Sequence, residues 1–363
     1  MKKYLLNILK LERNPVLDLL RAIAILMVVE VHFFSYYSIP PLNYVINQGA
    51  LGVDLFFVLS GYLVGRAPLK NYLSGKKQNF QVFYIKRFFK IIPSFYFAII
   101  VSFILYNYAF PIPLKKFSFN ELIYYFTFTQ NYSGSNVLFH AWSLCVEEHF
   151  YVLLPITLVL ISLFFKNNQS KLKTVLILLI LSGYIFRFIG FQLDIETYAG
   201  THNRIDALAL GVLLALLELT NHSFINKSNE LNTKSKKVII LGCSFFISGL
   251  ILGAFKIYIS TPNAIIEVLY HGMIPLGVFI ILTQILHLKI ALPSWVKLCS
   301  YFSYNWYLWH YILVYYFLYY FPDSKIIFIL YLLTTFLIAV ITTYYIEEPF
   351  MKIRNRVLTT ISK

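Results

Sequence analysis

The chain has 363 residues, 59% of them hydrophobic and only 13% charged, with 34 Phe and 29 Tyr. No soluble domain of this size carries that composition, so the sequence is read as an all-α, polytopic membrane protein. The formal charge of +15 is spread between apolar segments instead of clustering on one module, which makes it a topology signal and argues against a nucleic-acid partner.

The N-terminal "MKKYLLNILKLERNP" is broken by polar residues and no small-residue cleavage site follows, so the first span is read as retained behind a lead of residues 1–16. Apolar runs of spanning length follow near 17–36, 49–66, 91–110, 146–165, 173–190, 205–219, 237–255, 264–285, 298–320 and 326–346, about ten transmembrane helices in one domain covering 1–363. The N-terminus, the even-to-odd loops and the C-terminal tail 347–363 hold most of the Lys and Arg, which places both termini in the cytoplasm. Cys145, Cys243 and Cys299 offer neither a disulfide framework nor metal-ligand spacing, and no metal is expected.

The first span, "LDLLRAIAILMVVEVHFFSYY", carries Arg21, Glu30 and His32 in a stretch that hydrocarbon would otherwise enclose. Eleven residues at 100° each bring His32 back to within about 20° of the face of Arg21, roughly 16 Å deeper. Asp18 is spaced to pair with Arg21, while Glu30 falls on the opposite side. Arg21 could equally be a snorkelling headgroup ligand, and His32 a satisfied packing residue, although ionisable groups at such depth usually face a cavity or the bundle interior. In the second span, "GVDLFFVLSGYLVG", Asp54 and Ser60 are polar candidates, and Gly61 with Gly65 has the small-xxx-small spacing of close helix packing.

The third span opens on "YIKRFFKIIP", where Lys86, Arg87 and Lys90 sit at a helix N-terminus that already favours anions; the plainer reading is positive-inside charge. Residues 111–145 are too long and too apolar for a plain loop and suggest a re-entrant or interfacial segment. At the start of the fourth span, "FHAWSLCVEEHFYVLLP" groups Trp142, Ser143, Glu147, Glu148 and His149. The polar stretch 221–237 reads as a cytoplasmic loop able to hinge two halves. Glu267 and His271 are four apart, with no third ligand in reach for a metal. In the ninth span, "SYFSYNWYLWHYILVYY", Ser303, Tyr307 and His310 form a polar stripe deep in the bilayer.

Taken together these motifs resemble the acyltransferase 3 family of integral membrane acyltransferases. The resemblance covers nearly the whole chain: Arg21 and His32 as R-x10-H, "GVDLFFVLSGY", the basic pair before "IIP", "WSLCVEEHFY", "NRIDALALG", "SYNWYLWH" and "IEEP". One departure is Arg87 with Lys90 where the family has two arginines; lysine keeps the charge and loses the bidentate fork. With no esterase-like domain following the last helix, the sequence is read as the membrane module alone.

The resemblance implies transfer of an acyl group, most often acetyl, from acyl-CoA to a hydroxyl of a cell-envelope carbohydrate. O-antigen, another surface polysaccharide or a lipid-linked glycan would be the acceptor, at a bacterial inner membrane. On that reading His32 is the base, and Arg21, Arg87 and Lys90 hold the coenzyme phosphates. Glu147 orients the histidine, and Tyr307 or His310 donates to the thioester oxyanion. Asp54, Ser60, Trp142, Ser143, Arg204 and Asp206 would bind substrate. Acetyl-CoA is a donor substrate, and no permanently bound cofactor is expected. Membrane lipids are partners and a homo-oligomer is compatible. The rival reading is a proton-coupled transporter, whose inverted repeats are not detectable in the sequence.

Overall fold

The computed structural model describes residues 1–35, 49, 51–76, 78–110, 116–134, 137–166, 168–259, 263–321 and 326–361. Among them the chain is helical throughout, without strands. The helices are α1 (Lys2–Leu9), α2 (Pro15–Phe34), α3 (Gly52–Leu73), α4 (Phe80–Ile104), α5 (Phe119–Phe126), α6 (Trp142–Phe165), α7 (Gln169–Gln192), α8 (Thr201–Leu219), α9 (Thr233–Ile259), α10 (Ala264–Ile285), α11 (Ser294–Tyr320), α12 (Ile327–Thr342) and α13 (Glu348–Ile361). Wider π turns extend α4 through Leu105–Ala109 and join α12 to α13 through Thr343–Glu347.

Among the described residues, seven helical stretches are long and apolar enough to cross a membrane. That is fewer than the ten spans expected, because the other three fall on long helices that are less apolar. The three that fall short of a plain apolar span are α2, α8 and α11. Their sequences explain this. Asp18, Arg21 and Glu30 interrupt α2, Arg204, Asp206 and Glu218 interrupt α8, and α11 mixes Ser, Asn and His among its aromatics. These polar helices occupy the interior: α8 is buried from Asn203 to Glu218, while α7 and α9 turn Leu178, Leu181, Ile185, Ile240 and Ile251 outward. An apolar exterior around a polar centre is the distribution a lipid-immersed bundle requires.

Two contacts set the interior. A Cβ on Gly61 of α3 would lie 2.1 Å from the Leu208 carbonyl oxygen of α8, and one on Gly211 would lie 2.2 Å from that of Val58. The small residues therefore bring the two backbones together, as the spacing of Gly61 and Gly65 suggested. On the other side α2 runs alongside α11 in the same direction, pinned by Arg13 Nη2 to the Lys297 carbonyl (2.8 Å), Ser300 Oγ to Asp18 (2.7 Å) and His310 against His32 (2.9 Å). Helix α12 returns antiparallel to α11, with Trp306 Nε1 donating to Thr335 and Tyr331 OH donating to the His310 carbonyl.

Two expectations change here. Asp18 does not pair with Arg21: it lies 3.2 Å from Arg13 and accepts from Ser300, because α11 presents its hydroxyl directly across from the first turn of α2. The loop within 221–237 is not a free hinge either. The Asn226 amide donates to the Thr283 carbonyl (2.9 Å) and Gln284 Nε2 to the Phe224 carbonyl (2.7 Å), so the loop is tied to the end of α10. Within 111–145, the described residues form a short helix, α5, with a Ser118–Glu121 capping box and exposed Phe119 and Ile123, the form of an interfacial segment.

Candidate active site

Near the C-terminal end of α2 the side chain of His32 meets His310 of α11. His310 Nδ1 lies 2.7 Å from the Tyr307 carbonyl oxygen and 3.2 Å from that of Trp306. A carbonyl only accepts, so Nδ1 carries the hydrogen and the neutral ring presents Nε2 as an acceptor. That Nε2 faces His32 Nδ1 at 2.9 Å, and the same Nδ1 lies 2.9 Å from the Val28 carbonyl. Both neighbours being acceptors, His32 holds its hydrogen on Nδ1, and its Nε2 keeps a lone pair. The hydrogen-bond network thus assigns the tautomer a general base needs. Tyr311 packs edge-on against the His32 ring at 5.0 Å.

A third histidine, His140, completes the cluster. Its ring stacks on Tyr311 at 4.6 Å and meets His310 edge-on at 5.4 Å, and it is 2% exposed with Nδ1 lacking a partner. Its carbonyl accepts the Tyr307 hydroxyl at 2.5 Å, while Ser143 Oγ lies 2.7 Å from the same hydroxyl. The Tyr307 hydrogen is therefore directed at the His140 backbone, and Ser143 donates to Tyr307. His140 lies in a short 3₁₀ turn, Phe139–Ala141, before α6, where no periodicity flags it.

A cavity of about 170 Å³ opens beside the cluster, lined by the first halves of α2, α4 and α11, by α3 from Val53 to Val64 and by the start of α6. Arg21, Arg87, Lys90, Ser60, Ser143, Glu147 and Tyr307 all line it, so it gathers all three predicted phosphate ligands. Arg87 stacks its guanidinium over Tyr151 at 5.2 Å. Neither Arg21 nor Arg87 has an ion-pair partner among the described residues. Lys90 does, in Glu347, which also accepts from Asn305 Nδ2 at 2.8 Å. With Lys90 paired to Glu347, Arg21 and Arg87 face one carboxylate, Glu147, across this space, and the remaining positive charge favours an anion.

The expected roles shift accordingly. Glu147 does not orient His32: it accepts from Tyr151, one turn on, at 2.8 Å, and Tyr151 in turn meets Ser60 at 2.8 Å. His310 is the group that touches the base, which leaves its Nε2 no hydrogen for an oxyanion. Tyr307 likewise has its hydrogen engaged, and it forms the wall between the cavity and the histidines, its ring 5.5 Å from that of His310.

Asp54, Arg204 and Asp206, expected to bind substrate, line neither this cavity nor a second one described below. Arg204 Nη2 donates to Asp54 at 2.6 Å and Nη1 lies 2.7 Å from His271 Nδ1, with Tyr198, Trp142 and Phe57 around the guanidinium. Asp206 pairs with Arg187 at 2.6 Å. His271 reaches Glu267 at 3.4 Å, and Glu267 pairs with Lys256. This is a chain of paired charges, buried except for Lys256, that ties α3, α8, α10 and α9 together; pairing offsets part of its desolvation cost, while Arg204 Nε keeps no partner among the described residues. Glu347 and Glu348, quoted only as a motif, turn out to hold Lys90 and the hydroxyls of Tyr301 and Tyr4.

A family profile described as an acyltransferase domain, acyltransferase 3, matches residues 14–347. Among curated proteins, the chain is 28% identical over 371 residues to O-acetyltransferase OatA of Staphylococcus aureus, covering 93% of this chain and 57% of that protein. It is also 28% identical over 368 residues to peptidoglycan O-acetyltransferase OatA of Listeria monocytogenes, covering 93% and 56%. The chain thus spans little more than half the length of these relatives. No solved structure matches it.

Proposed function

The chain belongs to the acyltransferase 3 family, and from that premise we propose that it moves an acetyl group from acetyl-CoA to a hydroxyl of a cell-envelope glycan. The observation that carries this reading is the pair of arginines, Arg21 and Arg87, facing one cavity without carboxylate partners among the described residues, one wall away from a correctly tautomerised His32. The rival reading as a proton-coupled transporter leaves that coupling of anion site and base unexplained.

In the proposed reaction Arg21 and Arg87 hold the coenzyme phosphates, with Lys90 held in place by Glu347. The pantetheine arm follows α2 toward His32, past Tyr307. His32 Nε2 takes the proton of the acceptor hydroxyl as its oxygen attacks the thioester carbonyl. The hydrogen on His32 Nδ1, shared between His310 Nε2 and the Val28 carbonyl, stabilises the imidazolium that forms. The C–S bond then breaks, and the departing thiolate recovers the proton from Nε2. Direct transfer needs no acyl-histidine intermediate.

For the acceptor, the expected O-antigen gives way to a peptidoglycan-type glycan as first candidate, since that is what the name of the Listeria relative states. The test is reconstitution in liposomes with labelled acetyl-CoA, with and without glycan acceptors. Acceptor-dependent turnover that disappears in His32→Ala supports the reading. Flux of an acceptor across the bilayer with no donor turnover would instead identify a carrier.

A further inference from the structure

A second cavity, of about 310 Å³, lies between the turns preceding α6 and the loop joining α7 to α8, away from Arg21, Arg87 and Lys90. Its chemistry is different. No Lys or Arg lines it. The Glu196 carboxylate in its wall accepts three backbone amides, from Tyr198, Ala199 and Gly200, at 2.5, 2.7 and 3.2 Å, which compensate its charge.

What the wall offers is unused neutral hydrogen-bonding capacity. Gln130 is 4% exposed; its Nε2 donates to the Ala141 carbonyl, and its Oε1 has no partner. Asn131 donates to the Ala199 carbonyl and to Thr201, and its Oδ1 also lacks one. Tyr132 OH accepts from the Thr201 amide at 2.9 Å and lies 3.2 Å from His202 Nδ1, so His202 Nε2 is the imidazole nitrogen left to meet a ligand. Two amide acceptors and one imidazole nitrogen of neutral character stand beside the aromatic side chains of Phe139, Tyr132 and Trp142. Hydroxyl donors, hydroxyl acceptors and C–H faces in one molecule describe a pyranose ring better than an anion or a bare alkyl chain.

Position strengthens the assignment. Leu138, Phe139 and Trp142 line this cavity, and His140, within the same turn, packs against His310. A ring seated there lies against the backbone of the turn that walls the histidine cluster. We infer that this second cavity is the subsite for a neutral carbohydrate, approached from the side opposite the coenzyme. The inference rests on the proposed transferase reading for its purpose, but its occupancy is measurable without the donor.

The test is equilibrium binding of a panel of neutral tri- and tetrasaccharides, including the N-acetylglucosamine trimer, to the purified full chain in nanodiscs without acetyl-CoA. Asn131→Ala and Phe139→Ala should each weaken binding by about tenfold, the size expected for one hydrogen bond or aromatic face, and should leave acetyl-CoA affinity unchanged. Arg87→Ala should leave saccharide binding intact. Phe139 is 38% exposed, so its truncation is the variant least prone to misfolding, and size-exclusion profiles check both. The subsite is overturned if no panel member binds, if both variants bind as wild type does, or if a phosphatidylglycerol headgroup alone occupies the cavity. Saccharide binding that persists while acetyl-CoA neither binds nor turns over would sink the transferase reading and leave the subsite standing.

Discussion

At the scale of single residues the account turns on which atom of His32 is free. The tautomer follows from acceptors alone, the Val28 carbonyl and His310 Nε2, and His310 is itself fixed by the Tyr307 carbonyl. His310 is thus a positioning residue, acting through His32. His310→Ala should lower the rate of transfer by about 10²-fold or more, within the range a positioned base contributes, while acetyl-CoA still binds. A His310→Asn variant, whose amide oxygen can accept from His32 Nδ1, should recover part of that loss. A merely structural role would give no such recovery. The pH–rate profile of the two variants separates the cases further, since only loss of the Nδ1 partner changes the basicity of the imidazole. Arg87 makes the complementary case. Lysine there keeps the charge but loses the planar fork, so Arg87→Lys should bind donor less tightly than wild type.

At the scale of elements, the interior is built by the α3–α8 contact. Gly61 and Gly211 leave no room for a methyl group, since the neighbouring atoms are backbone and cannot swing aside. Gly61→Val should therefore destabilise the protein by about 1–3 kcal/mol or more, read as a fall in thermal midpoint in detergent, whereas Gly65→Ala, whose Cβ would meet only the Val212 side chain at 3.0 Å, should cost less. Much of this level was legible beforehand. Hydropathy located the ten long helices to within a few residues, apart from ends such as Phe80 and Trp142, where polar or aromatic residues continue a helix beyond its apolar run. The facing of Arg21 and His32 followed from helix arithmetic. Partnerships did not, because they depend on neighbours distant in sequence. Nothing local announces that Glu147 serves Tyr151, that Lys90 pairs with Glu347, 257 residues away, or that Arg204 and Asp54 satisfy each other. A polar residue within a motif reads the same whether it binds substrate or an opposite charge.

At the scale of the whole molecule, the cation cavity, the histidine cluster and the neutral cavity follow one another along the bundle. The donor site draws on the first halves of α2, α4 and α11, and the neutral site on the loops around 130–139 and 195–202. If the termini and the donor site face the cytoplasm, as the distribution of Lys and Arg predicts, Lys171 and Asp194 mark opposite sides, both exposed at the two ends of α7. Single-cysteine variants at these positions, in a background with Cys145, Cys243 and Cys299 replaced, should be labelled by an impermeant maleimide from opposite faces, Asp194→Cys from outside the cell. The same side for both would break the axial arrangement. The central claim is that Arg21 and Arg87, without ion-pair partners among the described residues, hold the donor and are not mere topology charge. Its most direct test is calorimetric titration of the solubilised protein with a non-hydrolysable acetyl-CoA analogue at two salt concentrations, for wild type and Arg87→Ala. Affinity that weakens with salt in the wild type and falls at least tenfold in the variant, about 1.4 kcal/mol, is the predicted result; equal affinity in both proteins with no salt dependence would contradict it.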